Sequence, residues 1–353
     1  MPAANHFSFS RKFRYDMIRS ILKRTSITLA KLAFIAACFV FIFQRVPCQD
    51  VIRQLSSVSP LWLTAAFLAV LAEPVVMALK WRLLLLDKGT PVKISRVVRI
   101  VFSSNFMAAL IPASLGADAV RVWLMSKERF SLTNAAGSLM ADRVLGVLAL
   151  MTLSLTATLW IGPTLDDRTV VITVVVLAGG MLAVLALALS PLPVLLAPYA
   201  QRALGPWLVR HHPQAGRSFN KLLLRLTEIH AAIIDYRLHP RTLAKAMLLN
   251  FGVQGLRIIS FHCLFRAVHF PVPWLSEIAF IPMIVFLTLM PISFFGLGVK
   301  EGAFLYFFGR ACVPAPVSLG VSLLSYLLVF VRQVPGAILV LPRFLSSRRS
   351  KGK

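Results

Sequence analysis

The stretch Thr169-Val-Val-Ile-Thr-Val-Val-Val-Leu-Ala-Gly-Gly-Met-Leu-Ala-Val-Leu-Ala-Leu-Ala-Leu189 carries no charged side chain along its whole length. A helix crosses the hydrocarbon core of a bilayer with about 20 such residues, so this run reads as a membrane span. Runs of the same character extend from Ile27 to Phe43, Leu61 to Leu79, Ala135 to Ile161, Leu243 to Leu264 and Pro316 to Leu341. The composition points the same way. The chain of 353 residues is 58% hydrophobic and only 14% charged, with a mean hydropathy of +0.78. Ordinary globular chains are less apolar and more charged, and a soluble fold of this size could not cover so much apolar surface. A transmembrane β-barrel would show alternating segments of about 10 residues, and none is visible. The fold class expected is an all-α polytopic membrane protein.

The formal charge of +25 fits cytoplasmic loops lying against anionic lipid. No zinc finger, recognition-helix pattern or basic-aromatic ladder accompanies it, so nucleic acid is not an expected partner. Cys38, Cys48, Cys263 and Cys312 are too scattered for a metal site or a disulfide framework. Neither a metal nor a cofactor is expected. No nucleophile elbow, phosphate-binding Gly-Lys-Thr loop or His pair suggests catalysis, and no catalytic residue is assigned.

Residues 1–24 form a basic segment holding Arg11, Lys12, Arg14, Arg19, Lys23 and Arg24. It lacks a convincing cleavage site, so the run after it reads as an uncleaved span and the N-terminus as cytoplasmic. The transmembrane domain runs over 25–341. Within it, the loop Lys80 to Arg99, the segment 200–242 and the tail 342–353 are basic, whereas the loop after Ile161 holds Asp166 and Asp167. Lys80, Arg82 and Arg99 read chiefly as topology determinants. Two apolar stretches are interrupted. Ile94 to Leu115 is broken by Asn105, Pro112 and Gly116, and Ile278 to Cys312 by Pro282, Pro291, Gly296, Gly298, Lys300 and Glu301. The loop charges agree throughout if both stretches dip in and return. About six full spans and two re-entrant broken-helix hairpins then make an inverted-topology repeat, with halves near 25–161 and 169–341. The alternative is eight plain spans with imperfect charge bias.

Backbone unwound at Pro112, Gly116, Pro291, Gly296 and Gly298 is tolerated in a membrane only against protein or water. The helix ends so created attract anions. Asp118 and Arg121 share a helical face as an expected ion pair. Asp142 and Arg143 read as a structural pair. Ionisable groups at membrane depth usually face a cavity or a partner, which singles out Lys300, Glu301 and Arg332. Asn250, Gln254 and Arg257 form a polar stripe at helical spacing. His262 and His269 read as structural, and Glu73, beside Pro74 in a span, has no evident partner.

Asn105, Pro112, Gly116, Asp118 and Arg121, followed by Ala141-Asp142-Arg143-Val-Leu-Gly146, resemble one core of the lysylphosphatidylglycerol synthase transmembrane family. Pro291, Gly296-Leu-Gly298-Val-Lys300-Glu301, Arg332 and Pro335-Gly336 are similar to its second core. The resemblance spans about Arg96 to Leu341. It implies a membrane domain with broken helices that moves or handles lipids, as a stand-alone member without the soluble aminoacyl-transferring domain. Its expected activity is flippase-like transport of anionic or isoprenoid and hopanoid-type lipids in the inner membrane, with both termini cytoplasmic. On this reading Arg121, Arg143, Arg332 and Asn105 hold the headgroup in one polar cavity between the hairpins, because a guanidinium fork matches phosphate oxygens. Asp118, Asp142, Glu301 and Lys300 balance the charge. The partners are membrane lipids, with a lipid-biosynthetic enzyme as the protein partner this reading admits. A membrane-embedded enzyme or subunit of such a pathway, or a scaffold recruiting a synthase through 201–241, are the competing expectations.

Overall fold

The computed structural model describes residues 38, 40–42, 44, 46–109, 116–126, 131–162, 167–190, 234–289 and 296–340, with scattered positions between 195 and 231. Most of the first apolar run, Ile27 to Phe43, lies outside these residues, as do Pro112, Pro291 and both basic ends of the chain. Every regular element among the described residues is helical. In order they are α1 (Cys48–Ser56), α2 (Pro60–Asp87), α3 (Ile94–Ala109), α4 (Gly116–Ser126), α5 (Leu132–Ile161) and α6 (Asp167–Leu189). After a 3-10 turn at Tyr236–Leu238 come α7 (Pro240–Ala267), α8 (Trp274–Leu289), α9 (Val299–Arg310) and α10 (Ala315–Val331).

Four helical stretches are long and apolar enough to cross a bilayer: Pro60–Asp87, Leu132–Trp160, Pro240–Ala267 and Ala315–Val340. Val170–Ala186 and Trp274–Leu289 are shorter apolar helices. The chain is a multi-pass helical membrane protein. The interrupted stretches are pairs of short helices, α3 with α4 and α8 with α9. At 1.5 Å per residue, the 16 residues of α3 reach only about 24 Å, against about 30 Å of hydrocarbon.

One loop was misplaced in the sequence. α2 does not stop at Leu79; the apolar run Leu83 to Leu86 carries it to Asp87. Lys80 and Arg82 are therefore helical rather than loop residues, and Lys80 is 3% exposed. The helix ends where Gly89 takes φ +65°. The Thr90 N–H reaches Leu85 O at 3.0 Å and the Gly89 N–H reaches Leu86 O at 3.0 Å, the double closure of a Schellman cap.

The same construction recurs further along. α7 starts and ends 180 residues after α2, and α8 starts and ends 180 residues after α3. His269, at φ +58°, stands where Gly89 stands, with Phe270 N–H to Phe265 O at 3.0 Å and His269 N–H to Arg266 O at 3.1 Å. Pro91-Val92 and Pro271-Val272 follow, both valines buried. Gly116 and Gly296 keep the interval, whereas the starts of α5 and α10 are 183 residues apart.

α2 and α7 lie side by side and antiparallel. Contacts pair Asp87 with Thr242, Lys80 with Asn250, Val76 with Gly252 and Glu73 with Arg257, and Ser59 N–H reaches Ala267 O. Residues 75 and 255, an interval of 180 apart, thus sit at the crossing. The Asn134 side chain, at the start of α5, donates to Lys88 O at 3.3 Å. The chain therefore leaves α2 and enters α5 at the same end of the bundle. The main apolar core joins α7, α8 and α9 through Phe265, Phe280, Phe304 and Phe308. The Phe265 and Phe308 ring centroids are 4.7 Å apart.

Candidate functional site

The crossing of α2 and α7 is charged. Glu73, 7% exposed, bonds the Arg257 guanidinium through one carboxylate oxygen and Arg332 through the other at 2.8 Å. Arg257 also donates to Gln254 Oε1 at 3.0 Å. Arg332 reaches this point because the last span is interrupted. Residues 332 and 333 leave the helix, with Arg332 N–H on Leu328 O and Gln333 N–H on Phe330 O. Pro335 offers no N–H to the preceding turn, which is the local cause. One carboxylate thus faces two guanidiniums. Charges this deep need such pairing, since an isolated one would carry an unrecovered desolvation cost of several kcal/mol.

A cavity of about 440 Å³ opens beside this triad, between α2, α7, α8, α9 and the last span. Most of its wall is apolar, from residues such as Ile284, Phe304 and Phe330. Its polar residues include Glu73, Arg257, Lys300, Ser325 and Gln333. Lys300 bonds the Ser325 hydroxyl, and its ammonium stands 4.0 Å from the centroid of the Tyr326 ring. Next to it, Glu301 is turned away from the cavity. Its carboxylate accepts the Gly298 N–H at 2.7 Å and the Ser322 hydroxyl at 3.3 Å, and Tyr326 bonds it as well. Gly298 stands at φ +83° and Gly296 at φ +76°. The carboxylate therefore caps the start of α9, closing a free N–H at a helix N-terminus.

A second polar cluster lies among α2, α3, α4, α5 and α7. Arg121 donates to Asn105 Oδ1 at 2.9 Å, Ser104 Oγ at 3.1 Å and Asp118 Oδ1 at 3.3 Å. Arg143 holds the other Asp118 oxygen at 2.6 Å. Lys80 pairs with Asp142 at 2.8 Å and donates to Asn250 Oδ1 at 2.6 Å. Three cations thus meet two carboxylates. Gly146 leaves room for Asn250: a Cβ there would stand 3.3 Å from its Oδ1.

The Asp118–Arg121 pair forms as its spacing suggests. Asp142 and Arg143 do not pair with each other; adjacent helical residues diverge by about 100°, so Asp142 turns to Lys80 and Arg143 to Asp118. Arg121, Arg143 and Asn105 do not line the cavity that Arg257 and Lys300 line, although Arg121 lies within electrostatic range of Arg332. Sequence reasoning left out Glu73, Arg257 and Lys80 as site residues. A carboxylate in an apolar run and a polar stripe at helical spacing were the available signals. His262 is paired rather than alone, with its Nδ1 3.0 Å from Glu277 and its ring stacked on Trp274 at 3.8 Å. Among the described residues no group of three or more metal-ligating side chains occurs.

At the end of the bundle, outside the apolar spans, Lys88 bonds Asp235 and holds its carboxyl below the usual range. Burial pushes the neighbouring Tyr236 hydroxyl up, and that hydroxyl donates to Leu84 O at 2.8 Å.

The chain is 23% identical over 327 residues to a "UPF0104 membrane protein" of Methanothermobacter thermautotrophicus, covering 90% of this chain and 92% of the relative. The model of the lysylphosphatidylglycerol synthase transmembrane region matches residues 28–336. With its paired short helices, antiparallel crossing and intramembrane ion pairs all inside that range, the chain belongs to the lysylphosphatidylglycerol synthase transmembrane region family.

Proposed function

We propose that this protein is a flippase-like transporter of an amphiphilic lipid with an anionic headgroup, and not an enzyme. The observation that carries this reading is the cavity beside the α2–α7 crossing, apolar over most of its wall, with Arg257 and Lys300 in its polar part. Its volume of about 440 Å³ falls in the range of small-molecule sites. An apolar wall suits an acyl or isoprenoid chain, and the two cations suit a phosphate.

In this reading the two pairs of short helices are re-entrant hairpins of an inverted-topology repeat. The 180-residue interval and the antiparallel crossing support it. Transporters of that design bind substrate near the repeat interface. The basic segments place both termini in the cytoplasm and the protein in the inner membrane.

The experiment is lipid translocation in proteoliposomes containing a fluorescent phosphatidylglycerol, followed by quenching of the outer leaflet. Arg257→Gln and Lys300→Gln are expected to slow translocation by roughly tenfold or more, the loss of one charge-assisted hydrogen bond to the headgroup. Arg168→Gln, on an exposed position, is expected to leave the rate unchanged. Wild-type rates in folded Arg257→Gln and Lys300→Gln proteins would sink the assignment.

A further inference from the structure

The 180-residue interval relates more than backbone. Carried back along the chain, the cavity-lining residues Ser260, Phe261, Ile284 and Val285 fall on Lys80, Trp81, Ser104 and Asn105. At the interval of 183 set by the starts of α5 and α10, Ser325 and Tyr326 fall on Asp142 and Arg143. The counterpart of the open cavity is therefore the place where the second polar cluster stands. There the space is filled. Trp81 is 1% exposed and donates to Ser138 Oγ at 3.0 Å, and Arg121 ties Asn105 to Asp118.

We infer that the cluster of Lys80, Ser104, Asn105, Asp142 and Arg143 is a second lipid-headgroup site, closed in this structure and opened when the first cavity closes. The inference rests on the transporter reading of that cavity. Its ligand class is the same anionic amphiphile, because the cluster holds Lys80, Arg121 and Arg143 against Asp118 and Asp142. One positive charge is left for a headgroup phosphate. Arg143 is the accessible member, its side chain 43% exposed. The Glu73–Arg257–Arg332 triad stands next to the crossing at residues 75 and 255, between the two sites. It belongs equally to both. Two related pockets that exchange open and closed forms about such a crossing would give access from each face in turn, with the two forms separated by only a few kcal/mol.

The test uses the full chain in phosphatidylcholine vesicles doped with a photoactivatable phosphatidylglycerol, with cross-linked peptides mapped by mass spectrometry. The wild type is expected to label mainly around Thr288 and Tyr326. Ser325→Trp, which plugs the cavity, is expected to lose that label and to raise labelling near Asn105 and Arg143 by roughly tenfold, as a shift of about 1.4 kcal/mol between two states gives. Thr288→Trp plugs the same cavity from α8 and keeps the test open if the first variant fails to fold. Loss of the cavity label in a folded plugged variant, with no label gained near Asn105 and Arg143, would overturn the second site and leave the first standing. A wild type that takes no label near Thr288 or Tyr326 would overturn both.

Discussion

Glu73 shows how little of a buried network one position announces. In the sequence it is a lone carboxylate beside Pro74 within an apolar run. In the fold it binds two arginines, 184 and 259 residues away along the chain. Removing it leaves both guanidiniums short of a counter-charge. Glu73→Ala is therefore expected to destabilise the protein by about 3 kcal/mol, the cost of breaking a buried pair from one side. Glu73→Gln, which keeps the shape and one acceptor, should cost less. Unfolding in a mixed micelle titrated with denaturing detergent measures both, and equal stability of Glu73→Ala and wild type would show the triad to be dispensable.

At the scale of elements, hairpins and caps set the geometry. The break signals at Gly116, Gly296 and Gly298 were legible because glycine and proline act locally. The placement of Pro112 and Pro291 lies outside the described residues. The end of α2 was less legible, since Lys80 looks like a loop charge until Asp142 and Asn250 are seen beside it. Close approach between elements was hidden as well. Gly336, on the last span, lies against α3 so tightly that a Cβ would come 2.3 Å from Phe102 O and 2.8 Å from Phe106 Cβ. Backbone cannot swing aside as a side chain can. Gly336→Ala is expected to force the last span off α3 at a cost of about 1–3 kcal/mol. Because Arg332 sits one turn away, translocation should fall with it. A Gly336→Ala protein as stable as wild type would refute the contact.

For the whole molecule, the repeat makes a topological prediction. The Asn134–Lys88 contact puts both ends of the first hairpin on one side. Cysteines introduced singly at Gly89 and Leu132 should then react with an impermeant thiol reagent from the same face. A cysteine at His269 and the native Cys312, which is exposed, should react from the opposite face. Gly89 and Leu132 reached from opposite faces would mean that Ile94 to Leu115 crosses fully, and the paired sites would go with it.

The sequence by itself determined that this is a helical membrane protein, where its main spans and breaks fall, and to which family it belongs. Those properties depend on local hydropathy, on glycine and proline, and on short motifs, all written in neighbouring residues. Only the tertiary structure decided which charges meet. It drew Glu73 to Arg257 and Arg332, Lys80 to Asp142, and Arg143 to Asp118 rather than to its neighbour. Ion pairing in an apolar interior depends on contact distance, and here contact is fixed by two antiparallel helices that cross 180 residues apart.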